Sequence, residues 1–366
     1  MARISDLSDE LLLKILSFLP TKEAVSTSVL SKQWEFLWMW LPELEFEFTR
    51  SNSLPLLLSY CPALEYLSID LEESNNYDNN VSLPCSLYSL KSLVTLKLQG
   101  GTILVDVPGT VCLPSLKTLQ LRCVTYSNDE SLRLLLSYCP VLEDLMIDYD
   151  NLRKLVIIVP SLQRLSLCIT TDCSSDGCVI VTPSLKSFDV VDQRSPSPYL
   201  IEHMPELEEA SIILLGDTEK DSERLLKSIT NVKRLSLSMT LNSIKGNVYP
   251  DGIVFSQLET LELYISSQNW SKLLVNLLKD SPNLRVLHLE VDHFQEIRGE
   301  YEPVSSSNNQ GSVPTCFLNS LETFKFKGYK SVEQEDRDFL SFIFKHACCL
   351  KSTSVVTHMM MLCSPD

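Results

Sequence analysis

Apolar residues recur through most of the chain in a frame that places Leu or a similar residue at its first, fourth and sixth positions. Leu64, Leu67 and Ile69 form one such frame. Because side chains alternate across a strand, the last two apolar positions of each frame predict a short strand with one buried face. Further frames begin at Leu93, Leu116, Leu142, Leu152, Leu162, Leu185, Leu207, Val232, Leu258, Leu284 and Leu321.

A seven-residue identity indicates that these frames belong to an internal repeat. Residues 56–62 recur without change at 134–140, which is 78 residues, or three units of about 26 residues, further along the chain. Most frames lie about 22–29 residues apart, which is the range of leucine-rich repeats. The alternative, a set of unrelated buried strands in an ordinary α/β domain, accounts less well for this periodicity.

A single strand of this kind cannot bury its apolar face alone, so neighbouring units must stack. The pattern therefore predicts an α/β fold: a leucine-rich-repeat solenoid of horseshoe form, with parallel strands on the concave face and helices or turns on the convex face. Helices are predicted at 132–138 and 273–278. Leu142, Leu152 and Leu162 lie only 10 residues apart, so the repeat is expected to be irregular there, with tight turns.

Residues 1–42 do not follow the repeat and predict three short helices instead. Leu7, Leu11 and Ile15 share one stripe of the first helix, and Pro20 ends it. About forty residues with this many apolar positions cannot hide them all, so some face the repeats or another protein. The pattern alone does not separate a cap for the solenoid from a docking site. The second helix carries Val25, Val29 and Leu30, and the third carries Trp34, Leu37 and Trp38.

Within this module, residues 6–12, 15–25 and 27–34 resemble the plant F-box over about 35 residues without a gap. The resemblance implies docking on a Skp-type adaptor, which joins the chain to cullin and RING subunits. Ser8 stands where that family usually has Pro. Because proline preorganises the start of a helix, its absence is expected to weaken docking modestly. The resemblance assigns the adaptor contact to Leu7, Leu11, Ile15, Leu16, Leu19, Pro20, Val25, Leu30 and Trp34.

From about residue 313 onward the chain resembles the FBD segment, which follows the repeats in many plant F-box proteins. The resemblance implies a last strand–helix unit that closes the array, and it extends to Leu350. Beyond that point residues 352–356 and a Met-rich tail stand in place of the family's final strand. The matching positions are Val313, Pro314, Cys316, Leu318, Ser320, Leu321, Lys327, Gly328, Tyr329, Phe339, Leu340, His346, Ala347, Cys348, Leu350 and Lys351.

The whole chain thus resembles a plant F-box/FBD/leucine-rich-repeat protein. The expected organisation is an F-box at 1–42, leucine-rich repeats at 43–312, an FBD at 313–356 and a tail at 357–366.

The net charge of the 366-residue chain is −16, from 47 acidic and 31 basic side chains. This balance disfavours nucleic acid and anionic membrane as partners, because both attract basic side chains. Charged residues interrupt the N-terminal apolar run, so no signal peptide is expected, and no apolar run reaches the ~20 residues that span a bilayer. A cytoplasmic or nuclear location is therefore expected. Thiols are reduced there, and the 12 cysteines are expected to be small buried apolar residues.

Motifs for enzyme chemistry are missing from the sequence. It contains no G-x-S-x-G, no H-E-x-x-H and no Gly-rich phosphate loop. Cys168, Cys173 and Cys178 are five residues apart, whereas zinc sites favour closer pairs together with histidine. They predict a cysteine-bearing surface loop. We expect no catalytic residue, no metal site and no cofactor.

The residues between the buried leucines are expected to line the concave face and to contact a partner. Aromatic, Met and Arg side chains are suitable anchors in such a face, although each of them could be a solvated strand residue. Acidic residues near 144–148 and 262–290 suggest a substrate with a basic patch. The candidate substrate-binding residues are Tyr66, Arg122, Met146, Asp148, Glu262, Tyr264, His288 and Glu290.

Function follows from the resemblance. It implies a non-catalytic substrate-recognition subunit of an SCF-type cullin–RING ubiquitin ligase, whose F-box binds the adaptor and whose repeats bind the protein to be ubiquitinated. Two alternatives are a leucine-rich-repeat interaction scaffold whose F-box no longer engages an adaptor, and a receptor that needs a small molecule.

Overall fold

A computed structural model describes residues 4, 7–48, 61–71, 81–149, 152, 154–169, 177–193, 199–214, 219–239, 253–266, 270–293 and 313–357. By its internal contacts the chain divides into two units, Met1–Leu185 and Lys186–Asp366. The mixed α/β class and the parallel strand pairing predicted from the repeat frames are confirmed in both.

The N-terminal module of the first unit contains α1 (Asp9–Leu16) and α2 (Thr21–Ser26), followed by 3₁₀ turns at Thr27–Val29 and Leu37–Trp40. Ser8 has the extended conformation of an N-cap but its side chain makes no capping bond. Asp9 and Glu10 in the first turn favour the helix through its macrodipole. The predicted third helix is only a 3₁₀ turn.

Six parallel strands of the described residues form the main sheet of the first unit. In spatial order they are β1 (Glu43–Phe48), β2 (Tyr66–Leu71), β4 (Thr95–Gln99), β6 (Thr118–Arg122), β8 (Asp144–Tyr149) and β10 (Arg164–Ile169). The register aligns the leucines of successive frames, so that Leu67, Leu96 and Leu119 form one buried row. Each such side chain contributes about 1.5–3 kcal/mol when fully buried.

Short strands, rather than helices, make up much of the return path. β3 (Val81–Ser82), β5 (Ile103–Val105) and β7 (Thr125–Tyr126) pair in parallel, and β9 (Leu155–Ile158) pairs with β11 (Cys178–Val181). The helix predicted at 132–138 is confirmed as α3 (Asp129–Ser137), which Asn128 caps by accepting a hydrogen bond from the Glu130 N–H at 3.0 Å.

The prediction that Leu152 begins a main-sheet repeat strand is wrong. Its strand, β9, pairs with β11 in a separate small sheet, and β8 pairs directly with β10. Leu142 and Leu162 therefore begin consecutive repeats, and the frame between them is the return strand. This explains the 10-residue spacing, which is too short for a strand, a turn and a return segment.

In the part of the second unit that the structure describes, seven parallel strands form the main sheet. In spatial order they are β12 (Ser187–Asp192), β14 (Glu209–Leu214), β15 (Arg234–Met239), β16 (Thr260–Ile265), β17 (Val286–Val291), β18 (Thr323–Tyr329) and β19 (Ser352–Thr357). Its other elements are β13 (Tyr199–Ile201), α4 (Glu219–Ser228), α5 (Trp270–Lys279), α6 (Thr315–Asn319) and α7 (Gln334–His346). The helix predicted at 273–278 is α5.

An aromatic cluster joins the C-terminal segment to the repeats of this unit. The ring centroid of Trp270 lies 4.9 Å from that of Phe339 and 5.7 Å from that of Phe326, both at steep interplanar angles. Beside the cluster, Glu335 accepts hydrogen bonds from the Ser271 N–H and Oγ at 2.8 and 2.7 Å. The segment after residue 313 therefore shares the core of the unit that it ends.

The expectation that residues 352–356 replace a final strand is wrong. These residues form β19, which pairs with β18 in parallel register. Between Lys327 and Tyr329 the register shifts at Gly328, whose φ is +87°. A Cβ at this position would lie 2.1 Å from the Val291 carbonyl oxygen, so the close approach of β18 to β17 requires glycine here.

Candidate functional site

In the N-terminal module, two adjacent rows of apolar residues differ in exposure: one row is buried and the other is at the surface. Leu12 and Leu16 are completely buried, and Trp34 and Trp38 are nearly so. Leu11 is half-exposed although it neighbours Leu12 in sequence. The buried row holds the module together, and the other row is left at the surface.

The exposed side chains of this module form what we call the apolar docking set: Ile4, Leu11, Ile15, Phe18, Val29, Leu30, Phe36 and Trp40. Leu11 and Ile15 follow i, i+4 spacing on α1, which places them on one face of the helix, and Phe18 lies in the turn that follows it. Phe18 is 78% exposed and Val29 is 89% exposed. Exposure of this extent in so short a segment is typical of an interaction site rather than of isolated surface residues.

The adaptor-binding residues assigned from the resemblance divide into three groups. Leu11, Ile15, Pro20 and Leu30 are exposed, and Leu7, Leu19 and Val25 are half-buried. The assignment is revised at Leu16, which is 0% exposed, and at Trp34, which is 3% exposed, because side chains packed inside the module offer no surface to a partner. Ile4, Phe18, Val29, Phe36 and Trp40 were not assigned, although helical spacing from Leu11 would have identified Phe18.

Hydrogen bonds fix the segments that carry the docking set. Gln33 Nε2 donates to the Leu7 carbonyl oxygen at 3.1 Å and to Asp9 Oδ1 at 3.0 Å. These two bonds tie the turn after Leu30 to the start of α1, so the exposed residues on both segments belong to one preorganised module. Preorganisation lowers the entropic cost of binding a partner.

The module also covers an edge of the sheet. The Glu45 N–H, on the first strand β1, donates to Thr21 Oγ1 of α2 at 2.8 Å. One face of the module therefore acts as the cap that a repeat array needs, while its docking set stays exposed. The structure thus shows that cap and candidate docking site are different parts of the same module.

The candidate substrate-binding residues all lie on main-sheet strands, where they alternate along the chain with buried apolar residues. They therefore share the opposite face of each sheet, which we call the polar face. In the first unit this face carries Tyr66, Arg122, Met146 and Asp148, and in the second it carries Glu262, Tyr264, His288 and Glu290. Arg122 and Tyr264 are exposed, and the other six are half-buried. Sequence alternation was enough to place them, because a strand has only two faces.

Charges on the polar face of the second unit are largely paired with one another. Glu262 Oε1 lies 3.2 Å from His288 Nδ1. Lys327 Nζ donates to Glu290 Oε1 at 2.6 Å, and this hydrogen bond raises the pKa of Lys327. Because Lys327 already compensates Glu290 and the His288 ring faces Glu262, the expected preference of this region for a basic substrate is reduced.

On the polar face of the first unit, the acidic side chains are less evenly paired with basic ones. Arg164 forms an ion pair with Asp144, and Lys97 Nζ lies 5.2 Å from the centroid of the Tyr66 ring. Glu43, Glu45 and Glu47 occupy alternate exposed positions on β1, a feature that the sequence analysis missed. Their alternation with Leu44 and Phe46 in the sequence was the available signal. This acidic strand is the clearest charge feature of the polar face.

A metal site is not found among the described residues: no group of three His, Cys, Asp or Glu side chains lies close enough to hold an ion. The surface loop predicted around Cys168 and Cys178 is wrong in part, because both residues lie in strands and Cys178 is buried; Cys173 lies outside the described residues. In the same part of the chain, no helix is both long and apolar enough to cross a bilayer.

The expectation that the cysteines are buried is only partly correct. Cys61, Cys139, Cys178 and Cys316 are buried, whereas Cys85, Cys112 and Cys348 are exposed. Burial raises the pKa of Cys61 to about 11 and those of Cys139 and Cys316 to about 12, since a thiolate is poorly solvated in an apolar core.

Thiol alkylation tests which cysteines are buried and which are exposed. At pH 8 we expect iodoacetamide to modify Cys85, Cys112 and Cys348 at least tenfold faster than Cys61 and Cys316, because only thiolates react and the buried thiols are protonated. Peptide mass spectrometry of the native protein gives the rates, and unfolding in urea should abolish the difference. Equal native rates would contradict the burial described here.

Comparison with known proteins agrees with the arrangement of these elements. The F-box domain matches residues 4–46, the LRR repeats of the FBD-associated F-box protein At5g56370 match 70–213, and FBD matches 309–355. The putative FBD-associated F-box protein At5g56700 of Arabidopsis thaliana is 57% identical, over 98% of both chains. The FBD-associated F-box protein At5g60610 of the same plant is 51% identical, over 97% of this chain and all of its own length. The chain therefore belongs to the family of FBD-associated F-box proteins with leucine-rich repeats.

Proposed function

We propose that the chain is the non-catalytic substrate-recognition subunit of an SCF-type cullin–RING ubiquitin ligase. The N-terminal module binds a Skp-type adaptor, through which cullin and RING subunits are recruited, and the polar face of the repeats binds the protein to be ubiquitinated. Membership of the F-box and leucine-rich-repeat families supports an adaptor role.

The observation that carries the proposal is the exposed apolar docking set. Leaving such side chains in water has no benefit for folding, and each Leu, Val or Phe that a partner covers completely contributes about 1.5–3 kcal/mol to association. The part of the module that caps β1 is a different one. A purely structural cap would therefore not need Leu11, Phe18, Val29 and Leu30 at the surface.

The mechanism that we propose is proximity. With the adaptor bound to one end of the chain and the substrate bound to the repeats, a substrate lysine is held near the ubiquitin thioester at high effective concentration. The thioester chemistry belongs to the other subunits. We further propose a cytoplasmic or nuclear location, where thiols stay reduced.

Adaptor capture tests the proposal. The full chain is co-expressed with a Skp-type adaptor, and the amount of adaptor retained per chain is measured. We expect the double variant Leu11→Glu/Leu30→Glu to retain at least about tenfold less adaptor, because each substitution removes apolar contact and desolvates a carboxylate. Both positions are exposed in the free chain, so folding should be preserved.

The matched control is Val332→Glu/Phe344→Glu. It introduces the same two charges at exposed apolar positions outside the module, and it should retain as much adaptor as the wild type. Equal retention by all three proteins would refute docking through the apolar set. Failure of the wild type to retain any adaptor would favour the interaction-scaffold alternative.

A further inference from the structure

The outermost strand of the first unit, β1, is protected against pairing with another strand. Glu43, Glu45 and Glu47 are exposed along it, and Thr21 of the N-terminal module accepts a hydrogen bond from the Glu45 N–H. Charged side chains and coverage by another element are two ways in which proteins prevent strand addition at a sheet edge.

Among the residues that the structure describes, neither protection is seen at β19, the last strand in the second unit's strand order. It pairs with β18 on one side, and no described strand pairs with it on the other. All six of its residues are exposed. The sequence 352–357, STSVVT, has no charge, no proline and no glycine, and four of its six residues are β-branched. Such a segment has a high propensity to pair with another strand.

The free edge presents a defined set of backbone groups. The Ser352 N–H donates to the Glu322 carbonyl oxygen, on the side of β18, at 3.1 Å. Since alternate residues of a strand direct their N–H and C=O groups to opposite sides, those of Thr353, Val355 and Thr357 point away from β18. Three donors and three acceptors therefore line the edge, and an extended strand is the structure that satisfies them in order.

We propose that β19 is a self-association site, at which the β19 strand of a second copy of this chain adds in antiparallel orientation. A two-fold axis through Val355 opposes Val355 to its own counterpart and Thr353 to Thr357. Every outward-pointing residue then meets another outward-pointing residue, so all six groups form hydrogen bonds. Isologous contacts of this kind close at two copies.

Side-chain chemistry favours a second copy over a charged partner. The two-fold axis is normal to the sheet, so the face of Val355, which is in register with Phe326 and the core, meets the same face of the other copy. The pairing brings no like charges together within the strand, because 352–357 is uncharged. A partner segment rich in Lys, Arg, Asp or Glu would find no complementary charge on β19.

The small contact area and the charge repulsion between copies predict a weak dimer. A pair of six-residue strands buries much less than the ~1,200 Å² typical of stable interfaces. Each chain also carries a net charge of −16, which repels a second copy at low salt. Association is therefore expected at micromolar concentrations or above, and it should strengthen as salt screens the repulsion.

Sedimentation equilibrium of the full chain tests the proposal, under reducing conditions at about 0.15 and 0.5 M salt, since charge repulsion is screened more at the higher salt. The mass should rise from 41.4 kDa towards twice that value as concentration increases, and it should rise earlier at the higher salt. Val355→Lys places two ammonium groups opposite each other at the axis and should weaken association at least tenfold.

The control Val332→Lys makes the same charge change at a side chain that is 78% exposed but lies outside the strand, and it should associate as the wild type does. A second variant, Val355→Cys, should yield a disulfide-linked dimer on mild oxidation, because directly opposed residues have Cα atoms about 5.5 Å apart. Val332→Cys should not yield more linked dimer than the wild type.

Three results would overturn the proposal: a monomer at every concentration, equal association of the two lysine variants, or no excess of linked dimer for Val355→Cys. Capture of an extended peptide by a chain that stays monomeric would assign the edge to a different protein.

Discussion

Replacing Trp270 with alanine is expected to destabilise the protein by about 3–5 kcal/mol, the range for deleting a large buried aromatic side chain. Trp270 is 1% exposed, and its ring packs edge-on against Phe326 of β18 and Phe339 of α7. The cavity would open at the point where the C-terminal segment joins the repeats. The surrounding rings belong to two different elements, β18 and α7, so the site cannot collapse easily around the missing indole.

Thermal unfolding followed by circular dichroism measures this effect. For a unit of about 180 residues, a loss of this size lowers Tm by roughly 6–20 °C. Phe344→Ala is the control, because it also removes a large aromatic side chain from α7 but at a position that is 56% exposed. It should shift Tm by no more than about 2 °C. Equal shifts for the two variants would show that the aromatic cluster is not a core.

The second large effect is expected for Gly328→Ala, which should cost about 2–6 kcal/mol. Two penalties act together at this position. The φ of +87° is strained for any residue with a Cβ, and that Cβ would lie 2.1 Å from the Val291 carbonyl oxygen. The neighbouring atom is backbone on an adjacent strand, so relief requires that β17 and β18 move apart.

Gly109→Ala is the matched substitution, because a Cβ there would have no neighbour within 4 Å. It should be neutral or stabilising by up to about 1 kcal/mol, through the lower entropy of the unfolded chain. Urea unfolding monitored by tryptophan fluorescence compares the two variants. A midpoint for Gly328→Ala as high as that for Gly109→Ala would contradict the described approach of the two strands.

Trp270 and Gly328 both lie where the C-terminal segment packs into the core of the second unit. Besides the aromatic cluster, Ser320 Oγ donates to the Leu284 carbonyl oxygen at 2.8 Å, and Cys316 Sγ contacts the Leu278 carbonyl oxygen at 3.5 Å. Removing the segment would expose Trp270 and the buried side chains of β17. The FBD thus packs into the core at the end of the repeat array.

Much of the fold could be predicted from local pattern. The frames that begin at Leu64, Leu116 and Leu284 each produced a strand in which buried apolar residues alternate with more exposed ones, as expected. The candidate substrate-binding residues followed from the same alternation. Period-two patterning is visible in a few consecutive residues, so no knowledge of distant contacts was needed.

The frame at Leu152 shows where local pattern stops being sufficient. Its residues satisfy the repeat as well as those of its neighbours do, yet its strand pairs in a different sheet. Which sheet this strand joins depended on the pairing of β8 with β10, and that pairing is a non-local property. The same holds for residues 352–357, which read as a departure from the family and yet complete the sheet.

By itself the sequence determined the repeat, the parallel α/β class, the family and the polar face. Each of these follows from a periodic pattern or a gapless motif among residues that are close in sequence. Only the tertiary structure decided which apolar residues of the N-terminal module are buried and which are exposed. Leu16 and Ile15 sit side by side on a helix, and distant Trp34 and Trp38 are buried with the first of them. The exposure of a side chain depends on which distant parts of the chain pack against it. The periodicity of neighbouring residues contains no information about such long-range contacts.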